Sequence, residues 1–226
     1  MRELTKSKGC FADNILSIVA SSKIIPIIDI TDDFDYQRLI SLYYKYGFRT
    51  VEVRIKSLHI NEIVTHIQKT YPNMYIFAGT CLSTDDMVRA KNMGLDILIS
   101  PVFDSKLMEF CCLHNLAYIP CVNSIDTLNI AHSMGFSVLK FYSAEKCGGL
   151  DFLRKVYNDY DVRFMPSGGI TLNKVPAYIK EPNVAACCTS HISSLQLQND
   201  NNWIDIEKNI IQASKFLLKT SEFINE

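Results

Sequence analysis

A lysine amine attacks a ketone only when it is uncharged, and an apolar environment is one way to strip the charge. Lys140 sits in Val138-Leu139-Lys140-Phe141-Tyr142, where every neighbour is apolar or aromatic. For an isolated lysine at a strand end, snorkelling to solvent is the ordinary explanation. A central strand closes that exit. Moving a lysine pKa from about 10.4 to near 7 costs about 4–5 kcal/mol, within reach of a buried site. The neutral amine would add to the carbonyl, and the iminium that follows would act as an electron sink.

A second segment supplies a proton carrier. In Val51-Glu52-Val53-Arg54-Ile55-Lys56, three charges alternate with three aliphatics, so in a strand the charges share one face. A solvent-washed antiparallel strand has this pattern, but a parallel sheet covered on both sides does not. Glu52, Arg54 and Lys56 are therefore expected inside, near the catalytic end of the sheet. Glu52 would shuttle protons, and Arg54 or Lys56 would depress the Lys140 pKa further. Asp29, also expected at a strand terminus, could pair with Arg54. His59, His66, His114 and His132 show no paired metal-ligand spacing, so no metal and no other cofactor is expected.

Positioning these groups falls to short β-branched or aromatic runs at Ile24–Ile30, Thr50–Ile55, Tyr75–Gly79, Ile97–Ser100, Tyr118–Cys121, Val138–Tyr142, Arg163–Pro166 and Val184–Cys188. Helical periodicity separates them: Ile60, Ile63, Val64 and Ile67 make one stripe, as do Tyr36, Leu39, Ile40 and Tyr43. Ser83 is an expected N-cap, and Gly47, Gly94 and Gly135 stand where helices should end. Strand–helix units recurring at roughly 20–26 residues predict an α/β fold of the (β/α)8 TIM-barrel type. One domain spans 1–226, with an extra helix at Phe11–Ser21 over the barrel floor and a last outer helix at Trp203–Leu218. Gly168-Gly169, after the seventh strand, occupies a recurrent phosphate or carboxylate cradle of such barrels.

The chain has 226 residues, 48% hydrophobic and 21% charged, with a net charge of −1. That balance gives no long-range attraction to nucleic acid or to an anionic membrane, so an anionic substrate has to be held by local donors. Residues Met1 to Ala20 lack the apolar core of a secretory signal, and no apolar run approaches the length of a membrane span. The expectation is a cytoplasmic protein with its eight cysteines reduced.

As a set, these motifs resemble those of the 2-keto-3-deoxy-6-phosphogluconate / 4-hydroxy-2-oxoglutarate aldolases, class I enzymes of the barrel fold, from about Ile24 to Ser193. Val51-Glu52-Val53 resembles the motif carrying the family's proton-shuttling glutamate, and Leu139-Lys140-Phe141, with Ala144-Glu145 and Gly148-Gly149, the segment of its Schiff-base lysine. Ala78-Gly79-Thr80 resembles the turn whose threonine holds the pyruvyl carboxylate and catalytic water; Ile99-Ser100-Pro101 resembles a fourth-strand motif, and Pro166-Ser167-Gly168-Gly169-Ile170 the phosphate loop.

The resemblance implies cleavage of a 2-keto-3-deoxy-6-phospho sugar acid, or of 4-hydroxy-2-oxoglutarate, to pyruvate and an aldehyde. Lys140 and Glu52 would be catalytic. Thr80 and Lys56 would hold the carboxylate, and Arg54, Pro101, Phe141, Ser167, Gly168, Gly169 and Ser190 would contact the substrate, in a homotrimer. The chain also departs from the family. Lys56 replaces an arginine and loses its bidentate fork, while Arg54 replaces a small polar residue. Val102 replaces a glycine, Ser143 a proline, and Cys188-Thr189-Ser190 a Gly-Gly-Ser phosphate turn. Two other readings compete: a phosphate-binding barrel isomerase, in which Lys140→Arg would retain turnover, and a non-catalytic binding or regulatory barrel of aldolase ancestry.

Overall fold

The computed structural model describes residues 12–95 and 97–217; residues 1–11 and 218–226, including Phe11 and Leu218 of the two expected terminal helices, lie outside them. Helix α1 (Ala12–Ala20) leads into β1 (Ile24–Ile28), α2 (Tyr36–Lys45), β2 (Thr50–Arg54), α3 (Ile60–Thr70), β3 (Tyr75–Gly79), α4 (Thr84–Asn92), β4 (Ile97–Ile99) and α5 (Ser105–Leu113). There follow β5 (Ala117–Ile119), β6 (Cys121–Val122), α6 (Ile125–Ser133), β7 (Val138–Phe141), α7 (Gly149–Val156), β8 (Arg163–Pro166), α8 (Val175–Tyr178), β9 (Cys187–Thr189), α9 (Leu195–Asn199) and α10 (Trp203–Ser214).

All strand pairs are parallel, and they form a curled sheet in two arcs, β5-β4-β3-β2-β1-β9 and β6-β7-β8. Pro120 divides β5 from β6 where one strand was expected: it has no N–H for the ladder, yet its carbonyl accepts from the Lys140 main-chain N at 2.8 Å. Isolated bridges join Phe164 to Val184 and Ser167 to Cys188, so β8 meets the segment ending in β9. The last strand therefore lies slightly later than the predicted Val184–Cys188.

Local chemistry sets the helix boundaries much as the sequence suggests. The Ser83 hydroxyl accepts from the Asp86 N–H at 3.1 Å at the start of α4, and Ser124 and Thr127 form a capping box on α6. Gly47, Gly94 and Gly135 each follow a helix in the left-handed region. Ile60, Ile63, Val64 and Ile67 of α3 are buried, in one cluster with Val51 and Val53 of β2. A second cluster lines the inner face: Ile25, Phe77, Ile97, Ile99, Ile119, Val138, Met165 and Cys188, with Ile15 and Val19 of α1. Among the described residues no helix is long and apolar enough to cross a membrane.

Candidate active site

Strand alternation sends Lys140 of β7 and Glu52 of β2 to the inner face, where the two are 3% and 1% exposed. Lys140 Nζ donates to Glu52 Oε1 at 2.7 Å. Glu52 Oε2 is buried with no hydrogen-bond partner among the described residues, so an acceptor remains for an arriving hydroxyl or water. The carboxylate fits because Gly79 lies beside it. A Cβ there would stand 2.7 Å from Glu52 Cγ, closer than packing allows. Gly79 was legible only as part of a motif; its spatial role depends on the parallel register of β2 and β3.

The electrostatics correct one expectation. Burial is the largest single influence and pushes the Lys140 ammonium toward neutrality, but the charge and hydrogen bond of Glu52, with smaller contributions from the Cys188 and Cys121 side chains, raise the pKa overall. That direction favours the ammonium form of Lys140 beside Glu52 over the neutral amine expected from the sequence. The cations expected to depress the pKa have acids of their own: Arg54 Nη1 bonds Asp29 Oδ2, and Lys56 Nζ lies 3.3 Å from Asp86 Oδ2. The Asp29–Arg54 pairing expected from the sequence is present. Nearby thiols are poor competing nucleophiles, since burial pushes Cys121 up to about 11 and Cys188 well above its ordinary value.

Above the pair opens a cleft of about 930 Å³, lined by Glu52 and Lys140 together with Arg54, Thr80 and Pro101. Ser167, Gly168 and Gly169 after β8, and Ser190 after β9, line it too. Gly168 and Gly169 have φ of 90° and 79°. A Cβ on Gly168 would lie 3.0 Å from Ser143 Cα, so this turn presses against the one after β7. The turn after β9 is tied back by Thr189, whose hydroxyl donates to Ile170 O at 2.7 Å and accepts from the His191 N–H at 3.1 Å.

Two expected contacts fall outside the cleft lining. Strand β2 ends at Arg54, so alternation no longer governs Lys56, which turns to Asp86 with a side chain 54% exposed. Phe141 follows Lys140 in the strand and therefore faces the helices, where it stacks on Phe152 of α7 at 4.6 Å. Lining residues that sequence reasoning missed include Thr171, Ser193, Ser194 and Gln196. For Ser193, Ser194 and Gln196 the signal available was the polar run after the last strand; for Thr171, between β8 and α8, it was the neighbouring Gly168-Gly169 turn. Among the described residues no group of three or more His, Cys, Asp or Glu is placed to hold a metal ion.

Residues 15–209 match the family model described as KDPG and KHG aldolase. The chain is 30% identical over 193 residues to the 2-dehydro-3-deoxy-phosphogluconate aldolase of Haemophilus influenzae, covering 85% of this chain and 91% of that protein. It is 30% identical over 166 residues to the enzyme of the same name from Treponema pallidum, covering 73% and 79%. A crystal structure of KDPG aldolase from Legionella pneumophila, with pyruvate captured at low pH as a covalent carbinolamine intermediate, superposes with a TM-score of 0.80 at 26% identity, over 88% of this chain and 97% of that one. The 2-keto-3-deoxy-6-phosphogluconate aldolase of Zymomonas mobilis, solved with 3-phosphoglycerate, shares the fold at a TM-score of 0.81 and 24% identity, over 91% and 97%. Motifs, fold and family model thus agree over most of the length, and the chain belongs to the KDPG and KHG aldolase family.

Proposed function

We propose that this protein is a class I aldolase that cleaves a 2-keto-3-deoxy-6-phospho sugar acid, or 4-hydroxy-2-oxoglutarate, to pyruvate and an aldehyde through an imine on Lys140. The observation carrying this reading is the buried 2.7 Å Lys140–Glu52 pair facing the cleft. Proton transfer from Nζ to Glu52 makes the amine nucleophilic at the moment it is needed, without a permanently depressed pKa. Nζ adds to C2 to give a carbinolamine, Glu52 returns its proton to the carbinolamine hydroxyl, and loss of water gives the iminium. Glu52, once more a carboxylate, takes the proton of the C4 hydroxyl. The C3–C4 bond then breaks, its electrons flow into the iminium, and the aldehyde leaves. Protonation of the enamine at C3 and hydrolysis release pyruvate and restore the amine.

Thr80 and Pro101, which both line the cleft, serve the carboxylate end in this reading. Ser167, Gly168, Gly169 and Ser190 are available to the distal end. Because Thr189 already engages the His191 N–H, the turn after β9 offers an anion fewer donors than a Gly-Gly turn would. Kinetics on phosphorylated and unphosphorylated substrates decide between the two distal groups.

Incubation with pyruvate and borohydride is expected to leave a stable adduct on Lys140, located by peptide mass spectrometry. Well-folded protein that yields no adduct would remove the mechanism and favour an isomerase or a binding barrel. We also read the two arcs as one closed (β/α)8 barrel, with β5 and β6 as a single strand broken at Pro120 and α1 as its floor. The apolar contacts of Ile15 and Val19 support that role. Family membership further implies a cytoplasmic homotrimer, a state that light scattering on the eluted protein measures directly.

A further inference from the structure

Lys56, which takes the place of the family's carboxylate-binding arginine, is turned away from the cleft and paired with Asp86. Yet C1 of a 2-keto acid is one bond from the carbon that Lys140 attacks, so its anion needs a donor close to that amine. Among the described residues lining the cleft, the lysine and arginine side chains are Lys140 and Arg54. Arg54 lies two residues beyond Glu52 on the same face of β2, about 6.5 Å further toward the cleft. It is in register with Gly79, and its Nε donates to the hydroxyl of Thr80 at 3.3 Å.

We infer that Arg54, acting with Thr80, is the carboxylate anchor of this enzyme, the cation having moved two residues back along the strand. The inference rests on the aldolase reading above and assigns the recognition of its substrate. Asp29 is a positioning residue: it bonds Arg54 Nη1 and is itself held by the Ser57 hydroxyl at 3.2 Å. Those bonds use two of the five guanidinium N–H donors and fix the plane of the fork, leaving the others for a carboxylate. Thr80 is also held unusually. It is β-branched with φ 62°, a conformation such residues rarely adopt and one that tends to persist where geometry is functional.

The test measures how much pyruvate half-saturates borohydride trapping on Lys140. In Arg54→Met that concentration is expected to rise by about tenfold or more, since a charge-assisted contact is lost. In Lys56→Met it is expected to stay within about twofold, because an exposed charge outside the cleft contributes little. Arg54→Lys restores the charge and should recover part of the loss, which keeps the test open if the methionine variant folds poorly. Acetone, a ketone with no carboxylate, should be trapped equally by wild type and Arg54→Met. The anchor is overturned if Lys56→Met carries the loss, if both variants lose equally, or if the acetone reaction falls in parallel with pyruvate. Wild-type protein that traps no pyruvate at all overturns the imine as well, so the two failures are distinguishable.

Discussion

The inner face of the sheet changes character within one two-residue step on several strands. Val138 is followed by Lys140 on β7, and Phe77 by Gly79 on β3, while Met165 of β8 leads to Ser167 in the turn beyond it. Toward the amino-terminal ends the face is a dry cluster that includes Ile25, Ile97 and Val138, packed against Ile15 and Val19 of α1. Toward the carboxyl-terminal ends it holds the Lys140–Glu52 pair and the cleft. The two regions depend on each other. The apolar cluster excludes water from beneath the pair, which raises the cost of either charge alone and strengthens their attraction. The lower region should carry stability and the upper one chemistry.

The largest effects should come from breaking the upper region. Lys140→Arg keeps a positive charge but cannot form the imine, and turnover is expected to fall by about 10⁴-fold or more. Glu52→Gln keeps the shape and loses the proton carrier, which should lower kcat by roughly 10²–10⁴-fold. Steady-state assays coupled to pyruvate detection measure both. Retained turnover in Lys140→Arg would move the chemistry elsewhere in the cleft.

The same pair should leave a mark on alkaline stability. The folded Lys140 pKa is raised above 10.5, so its contribution is fully present below the unfolded value of about 10.4 and disappears as pH climbs through the folded value. Relative to a Lys140→Met/Glu52→Gln double variant, wild type should lose stability more steeply there, by up to about 1.4 kcal/mol per pH unit. Urea midpoints across that range supply the comparison, and parallel curves would mean that the pair is not coupled to folding.

Much of this arrangement was legible because it rests on local rules. Alternation placed Glu52 and Arg54 on one face, and the runs Tyr75–Gly79 and Arg163–Pro166 are strands with the expected ends. Alternation failed at Lys56 because the strand stops at Arg54, and nothing local distinguishes a strand's last residue from the turn after it. It was also not applied to Phe141, whose neighbour Lys140 is inward and which must therefore face the helices. The direction of the Lys140 pKa shift was misjudged for a different reason. Burial and the nearby cations were weighed, but the charge of Glu52, 88 residues away and hydrogen-bonded to the amine, was not set against them. The 27-residue spacing of Glu52 and Gly79 hid a contact that only strand register reveals.

Cutting into the lower region should separate stability from chemistry. Ile25 is fully buried in the dry cluster, and Ile25→Ala is expected to cost about 2–5 kcal/mol by lost transfer energy and a residual cavity. Pyruvate trapping per folded molecule should stay within about twofold of wild type, because no atom of the pair is touched. If trapping collapsed along with stability, the two regions would be one cooperative unit and the division drawn above would be wrong.

The smallest effect sharpens the comparison from the outside. Lys56–Asp86 is an ion pair from the same strand–loop segment as Glu52, but its lysine side chain is 54% exposed, so solvent screens it and Lys56→Met should cost no more than about 0.5 kcal/mol. Asp86 does more. Its carboxylate accepts from the Leu82 N–H at 2.9 Å; although burial pushes the acid's pKa up, that bond together with Lys56 leaves it below its ordinary value. Its contribution is therefore present above the unfolded pKa of about 3.9 and is lost as pH falls through the folded value. Asp86→Asn should cost about 1 kcal/mol at neutral pH and flatten the acid limb of the stability profile, whereas Lys56→Met should leave most of that limb in place. Two charges thirty residues apart in sequence would then differ because one also accepts a backbone N–H and the other does not. A Lys56→Met cost of several kcal/mol would show that burial is not what separates this pair from Lys140–Glu52.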